Sequence, residues 1–137
     1  MLMPCEIGVR SILPAIRRGI VRILYRDFKM KQAEIARILN ISQPSVSHFL
    51  KGIRGTALDV LAIDPEVREA VEMLASNLVN GNPSCLELMR GFCEICTLIR
   101  QKGYMCEVHS RYDETINTKE CKLCSELGII ASAKERK

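Results

Sequence analysis

Apolar residues recur along this chain at helical rather than strand spacing. Between Leu13 and Phe28, Ile16, Ile20, Ile23 and Leu24 fall on one side of a helix, while Arg17, Arg18, Arg22 and Arg26 fall on the other. Pro14 suits the first turn of that helix, where its missing N–H leaves no bond unmade. Gly19 within it marks a close contact. Ile35, Ala36 and Leu39 then share one face of a short helix, and Val46, Phe49 and Leu50 form the stripe of another. Asp64-Pro65 supplies a cap and a first-turn proline for a helix with the stripe Val67, Ala70, Val71, Leu74 and Leu78, ended by Asn80-Gly81-Asn82-Pro83. Ser84 and Glu87 have the spacing of a capping box, opening a helix that runs to about Lys102 and stops at Gly103. No strand alternation or internal repeat interrupts this series, so the expected fold class is all-α.

The two short helices between Lys31 and Lys51 are joined by Asn40-Ile41-Ser42. Asn tolerates the left-handed backbone that a chain reversal needs, Ile41 plugs the space between the helices, and Ser42 caps the second one. With Val46, Phe49 and Leu50 facing inward, Gln43, Pro44, Ser45, Ser47, His48 and Lys51 are left as a polar face at the start of that helix. The segment resembles the Cro/repressor-type helix-turn-helix of transcriptional regulators, with Asn40 where members of that group more often carry Gly. The resemblance implies a helix that enters the major groove of double-stranded DNA. It makes Gln43, Ser45 and His48 base contacts, with Pro44 and Ser47 beside them, and Ser42, Lys51 and Arg54 phosphate contacts. It also implies a homodimer, because operators of such proteins are paired half-sites.

Charge agrees with a polyanionic partner. Residues 1–55 carry ten Lys or Arg against three acidic residues, a net of +7; residues 56–137 carry ten against thirteen, a net of −3. The overall +4 therefore hides a strongly basic N-terminal part. Gly52, Gly55 and Thr56 punctuate the pattern, which suggests a linker near 52–61 between a helix-turn-helix domain over 1–55 and a helical cysteine-rich domain over 56–137. Residues 1–11 are too short and too broken by Pro4, Gly8 and Arg10 for a signal peptide or membrane span, so a cytoplasmic protein without a membrane partner is expected.

Seven cysteines are many for 137 residues. Cys93-Glu-Ile-Cys96 and Cys121-Lys-Leu-Cys124 are two C-x-x-C pairs, with Cys106 and His109 between them. In a reducing compartment such thiols hold metal more often than they form disulfides. Cys93, Cys96, Cys121 and Cys124 are the expected ligands, Cys106 and His109 their possible substitutes, and Cys5 and Cys85 structural residues. The first pair lies inside an amphipathic helix, where spacing of three puts both sulfurs on one face with Met89 and Phe92. That setting inclines the reading to an iron–sulfur cluster, with Zn²⁺ as the alternative. Small cytoplasmic regulators, notably archaeal ones, that join this helix-turn-helix to a cysteine-rich tail are similar to the whole arrangement.

The expected function is a sequence-specific DNA-binding transcriptional regulator, not an enzyme, responsive to redox or metal state through the cysteine site. Two alternatives stand beside it. One is a constitutive DNA- or RNA-binding protein with a purely structural zinc. The other is a thiol–disulfide oxidoreductase using a C-x-x-C, which lacks the βαβ context of such enzymes.

Overall fold

A computed structural model describes residues 1–126, and these are helical with no strand among them. The order is α1 (Pro4–Ile7), a π-helical turn (Gly8–Ile12), α2 (Leu13–Arg26), α3 (Gln32–Leu39), α4 (Gln43–Leu50), α5 (Pro65–Asn80), α6 (Cys85–Gln101) and α7 (Tyr104–Tyr112). The N-terminal residues are thus helical from Pro4 onward, and Pro14 lies within a continuous helical run instead of opening one. Pro14 has no N–H to give the Arg10 carbonyl, and its ring crowds that oxygen. The wide turn falls just before it, with the Leu13 N–H bonded five residues back to the Gly8 carbonyl.

Helix α2 is the central element. Ala15, Ile16, Gly19, Ile20, Val21, Ile23 and Leu24 are all buried, which is more of its circumference than one stripe. It packs against α4, α5 and α6. A Cβ on Gly19 would lie 2.5 Å from Val60 Cγ2 and 3.4 Å from Val71 Cγ1, so glycine is what lets the 52–64 segment and α5 approach. That segment reads as a linker in the sequence but is seated on α2. Val60 is buried, Asp59 Oδ1 accepts from Arg22 Nη1 at 3.1 Å and from the Leu61 N–H at 3.0 Å, and Gly55 rests on the first turn of α2. One apolar core runs from Ile7 to Val108, with residues on both sides of position 55 contributing to it.

This packing gives the α2 arginines a different role from the one their spacing suggests. Arg22 is tied to Asp59, Arg17 lies 5.7 Å from the centroid of the Phe92 ring, and Arg18 is half-buried beside Gly55. Their aliphatic stems cover apolar surface. Part of the N-terminal charge is thus spent on packing.

Local end-signals form as their chemistry dictates. Asn40 is left-handed (φ +53°), with its own N–H bonded to the Arg37 carbonyl and that of Ile41 to the Ala36 carbonyl. Ser84 and Glu87 exchange both capping-box bonds at 3.1 Å. Asp64 caps α5 by accepting from the Glu66 and Val67 N–H groups at 2.8 and 3.2 Å, and it also accepts from Tyr104 Oη at 2.7 Å and Lys102 Nζ at 3.2 Å. One carboxylate so joins the start of α5 to the α6–α7 corner, where Gly103 turns with φ +82°. Helix α7, which the apolar pattern does not announce, buries Met105, Val108 and His109.

Two predictions follow from these contacts. Gly52 and Gly55 both have positive φ, but a Cβ at Gly52 meets nothing within 4 Å, while one at Gly55 would lie 2.5 Å from the Pro14 carbonyl oxygen. Gly52→Ala should cost about 1–2 kcal/mol for its left-handed backbone. Gly55→Ala should cost more by about 1–3 kcal/mol, because backbone must shift as well. Urea unfolding of both variants measures the difference; equal costs would show that the 52–64 segment is not seated on α2. The second concerns pH. Hydrogen bonding from Tyr104, opposed by partial desolvation and aided by Val67 and Lys102, holds the Asp64 carboxyl at about 2. A depressed carboxylate stabilises the fold above its unfolded value, about 3.9, and that contribution disappears as pH falls toward 2. Asp64→Asn should flatten the denaturation midpoint across that window relative to wild type.

Candidate nucleic-acid interface and thiol cluster

The α3–α4 pair is held by Ile35, Ala36, Val46 and Phe49, which are buried, with Ile38, Leu39, Ile41 and Leu50 packed around them. Ser42 caps α4 by accepting from the Ser45 N–H at 3.2 Å, and the two hydroxyls lie 2.8 Å apart. Pro44 occupies the first turn, as expected. The far end closes on Gly52 (φ +72°), with the Ile53 N–H bonded to the His48 carbonyl at 2.9 Å.

Of the residues expected to meet DNA, Ser42, Gln43, Pro44, His48, Lys51 and Arg54 are exposed, and Ser45 and Ser47 are half-buried. All eight lie on α4, at its cap or just beyond it. The Ser42 oxygen is engaged in the cap and the Ser45 hydroxyl points back to it, which leaves Gln43 and His48, with half-buried Ser47 and the cation Lys51, as the polar side chains of the face that make no side-chain hydrogen bond among the described residues. Arg54 is drawn over the Phe49 ring, 5.5 Å from its centroid. Lys29, Lys31 and Arg37 extend the exposed cationic surface onto α3 and the turn before it, and none forms an ion pair among the described residues. The charge count contains these three, but the helix pattern does not single them out.

The expected metal ligands are arranged differently from their spacing. Cys93 opens onto the cleft between α5 and α6, with Ala70, Met73, Leu74 and Thr97. Cys96, one turn on, faces the N-terminal helix instead: a Cβ on Gly8 would lie 3.9 Å from its sulfur. The two sulfurs of the first C-x-x-C therefore serve different surroundings. Cys5 and Cys85 are both exposed, so neither is a small buried hydrophobe.

Arg100 is where the thiols gather. Its Nη1 lies 3.9 Å from Cys5 Sγ, and Cys106, Cys121 and Cys124 line one cleft with it. Burial works against the Arg100 charge, but a hydrogen bond to Cys124 and the nearby Cys124, Cys5 and Cys96 sulfurs outweigh it and hold its pKa above the ordinary value. Burial pushes the Cys96 and Cys106 thiols up, although Arg100 partly offsets this at Cys96. Among the described residues no three Cys, His, Asp or Glu side chains converge closely enough to hold a metal ion. The sulfurs surround a guanidinium instead of closing on a common centre.

His109, the possible imidazole substitute, is buried, and its Nε2–H donates to the Leu2 carbonyl at 2.7 Å. The Leu2 N–H in turn donates to Asp113 Oδ2 at 3.2 Å. Hydrogen bonds from the Thr115 hydroxyl and N–H, then from Leu2, hold the Asp113 carboxyl at about 2. His109 and Asp113 thus grip the second residue of the chain on both sides, which sequence spacing cannot show.

Comparison with protein-family models, with curated proteins and with solved structures finds no match to this chain. No described helix is long and apolar enough to cross a membrane.

The thiol arrangement makes a rate prediction for the reduced, metal-free protein. At neutral pH, iodoacetamide should label exposed Cys85 and Cys93 before the half-buried Cys96 and Cys106, whose thiols burial keeps protonated. Peptide mass spectrometry of a labelling time course reads the order. Early labelling of Cys96 would mean that its seat against Gly8 is not maintained.

Proposed function

We propose that this protein is a sequence-specific transcriptional regulator in which α3 and α4 form a helix-turn-helix on double-stranded DNA. The observation that carries the proposal is the exposed start of α4. The capped start offers Gln43 and the last turn offers His48, both free of internal bonds and flanked by Lys29, Lys31, Arg37, Lys51 and Arg54 without ion-pair partners among the described residues. A helix N-terminus favours phosphate, and the surrounding cations supply the sequence-independent part of the affinity. Gln43 can bond adenine twice in the major groove, whereas Lys51 adds charge without reading bases.

The remainder of the reading follows from this role. The protein acts as a cytoplasmic homodimer that sets two α4 helices on two half-sites. Exposed Met73, Leu86 and Met89 on α5 and α6 support an apolar contact between copies. The cysteines hold an iron–sulfur cluster or Zn²⁺, a reading supported by the two C-x-x-C pairs and the chemistry of a thiol-rich donor set.

Binding to an enriched duplex, in competition with random duplex over a range of salt, tests the proposal. Gln43→Ala should cost about 1–3 kcal/mol on the preferred sequence and relax the preference at one base pair. Lys51→Ala should weaken all duplexes alike and reduce the salt slope by about 1. Equal affinity of the wild-type protein for enriched and random duplex would defeat the sequence-specific reading. Identical behaviour of the two variants would defeat the division of roles.

A further inference from the structure

We propose that the cleft between the N-terminal helical run, the 52–64 segment and α7 binds a small phosphomonoester, held by Arg10 and Arg111 and by the hydroxyl of Ser11. The cleft shares no residue with the α4 face and does not depend on the helix-turn-helix reading.

Charge is the first argument. Arg10 and Ser11 come from the π turn, Thr56 from the segment seated on α2, and Arg111 and Tyr112 from the last turn of α7. No Asp or Glu lines the cleft among the described residues. The arginine side-chain hydrogen bonds and ion pairs there belong to Arg22, Arg68 and Arg100, so Arg10 and Arg111, both exposed, are left without partners. Two like charges bordering one cleft repel, and an anion between them turns that repulsion into attraction. Arg18 adds a third cation behind Gly55, and its buried Nε has no partner among the described residues.

The second argument is independent of the arginines. Ser11 is only 3 % exposed, yet its hydroxyl makes no hydrogen bond among the described residues. Buried polar groups are ordinarily paired. A helical serine commonly bonds a carbonyl three or four residues back, as Ser110 does to Glu107 at 2.7 Å. The side-chain atoms that are both sealed and unpartnered are Arg18 Nε and Arg22 Nε. The Ser11 oxygen therefore keeps an opening, and the cleft is what it opens on. On the neighbouring wall, the N–H groups of Thr56 and Ala57 make no hydrogen bond among the described residues either.

The donor set selects the ligand class. A phosphomonoester carries about −1.5 to −2 charge near pH 7, which matches two guanidiniums. Its three terminal oxygens can accept from two N–H forks and a hydroxyl together. A carboxylate brings one charge and two oxygens. The cleft has a volume of about 400 Å³, in the range of organic-ligand sites and roomy for phosphate alone. Pro14, Val108 and the exposed ring of Tyr112 supply apolar wall for an organic body.

Calorimetric titration of the full, reduced chain tests the site, with thermal unfolding in parallel. The probes are adenosine monophosphate and glycerol phosphate, with adenosine, inorganic phosphate and succinate as controls. Both phosphomonoesters should bind in one copy and raise the unfolding midpoint; each control should bind more weakly by about tenfold. Arg10→Gln and Arg111→Gln should each weaken adenosine monophosphate by about tenfold or more, and circular dichroism checks their helices. Ser11→Ala should weaken it by about two- to tenfold without lowering the ligand-free midpoint, because its hydroxyl has no bond to lose. Arg90→Gln, at an exposed arginine outside the cleft, should leave binding unchanged. Undiminished affinity in the Arg10 and Arg111 variants, an equal loss in Arg90→Gln, or no uptake of either phosphomonoester would overturn the site. Equally tight succinate or inorganic phosphate would overturn the ligand class. If the Arg10 and Arg111 variants instead weaken duplex DNA as Lys51→Ala does, and adenosine monophosphate does not bind, these arginines belong to a DNA-backbone surface and the proposal fails. The duplex competition of the wild-type protein is a separate measurement, so loss of this site leaves the helix-turn-helix reading standing.

Discussion

Burial of α2 is the constraint on which the other elements depend. A chain of this size encloses little volume, so a single helix shared by several neighbours is an economical way to bury apolar surface. Ile16, Ile20, Val21 and Leu24 are fully buried, and α4, α5 and α6 all lean on this helix. Burial on so many sides brings arginines into half-buried positions, where a charge needs a partner or contact with water. Asp59 supplies one for Arg22, and the Phe92 ring supplies a softer one for Arg17. The segment after α4 is therefore obliged to lie down on α2, and the backbone of Gly55 is what lets it do so.

Placing α2 at the centre leaves α3 and α4 at the edge. Only their inward stripes are needed for packing, through Ile35, Ala36, Val46 and Phe49. The other side of α4 is thus free to carry chemistry unrelated to folding. The cationic side chains divide along the same line: Arg17, Arg18 and Arg22 on α2 pack into its contacts with the core, and those near α3 and α4 stay unpaired among the described residues. A net charge of +7 over residues 1–55 is therefore an overcount of what a polyanion meets.

The parts of this structure that can be read in the sequence are those fixed by a few neighbouring residues. The left-handed turn at Asn40, the caps at Ser42 and Asp64, the Ser84–Glu87 box and the stop at Gly103 each involve side chains within three or four positions of the backbone groups they satisfy. The exposed face of α4 was legible for the same reason. What the sequence left hidden depends on distant partners. Periodicity places Arg17 and Arg22 on a polar face but cannot know that Phe92 and Asp59 cover it. The C-x-x-C spacing puts Cys93 and Cys96 on adjoining turns but cannot say that α5 borders one and the N-terminal helix the other. Pro4 and Gly8 looked like interruptions because the π turn that absorbs Pro14 has no sequence signature of its own. The Gly19 contact could be anticipated, although its partner Val60 could not.

How α4 is held depends in part on the seat of the N-terminal helix, because the π-helical turn and α4 both pack on α2. Ile7 and Ile12 are fully buried in the same core as Ile16 and Ile20. Lifting that helix away would expose two isoleucines at about 1.5–3 kcal/mol each. Each 1.4 kcal/mol is a factor of ten in population, so the docked arrangement dominates. A ligand that merely reinforced docking would have little population left to shift; it would add stability without changing how α4 is presented. Regulation through the N-terminal helix would therefore require a liganded form that differs from the docked one. Arg100 stands at the contact between the N-terminal run and α6, 3.9 Å from Cys5 Sγ and beside Cys106, Cys121 and Cys124. A change at that contact would reach α4 through α2, the helix on which α4 is packed.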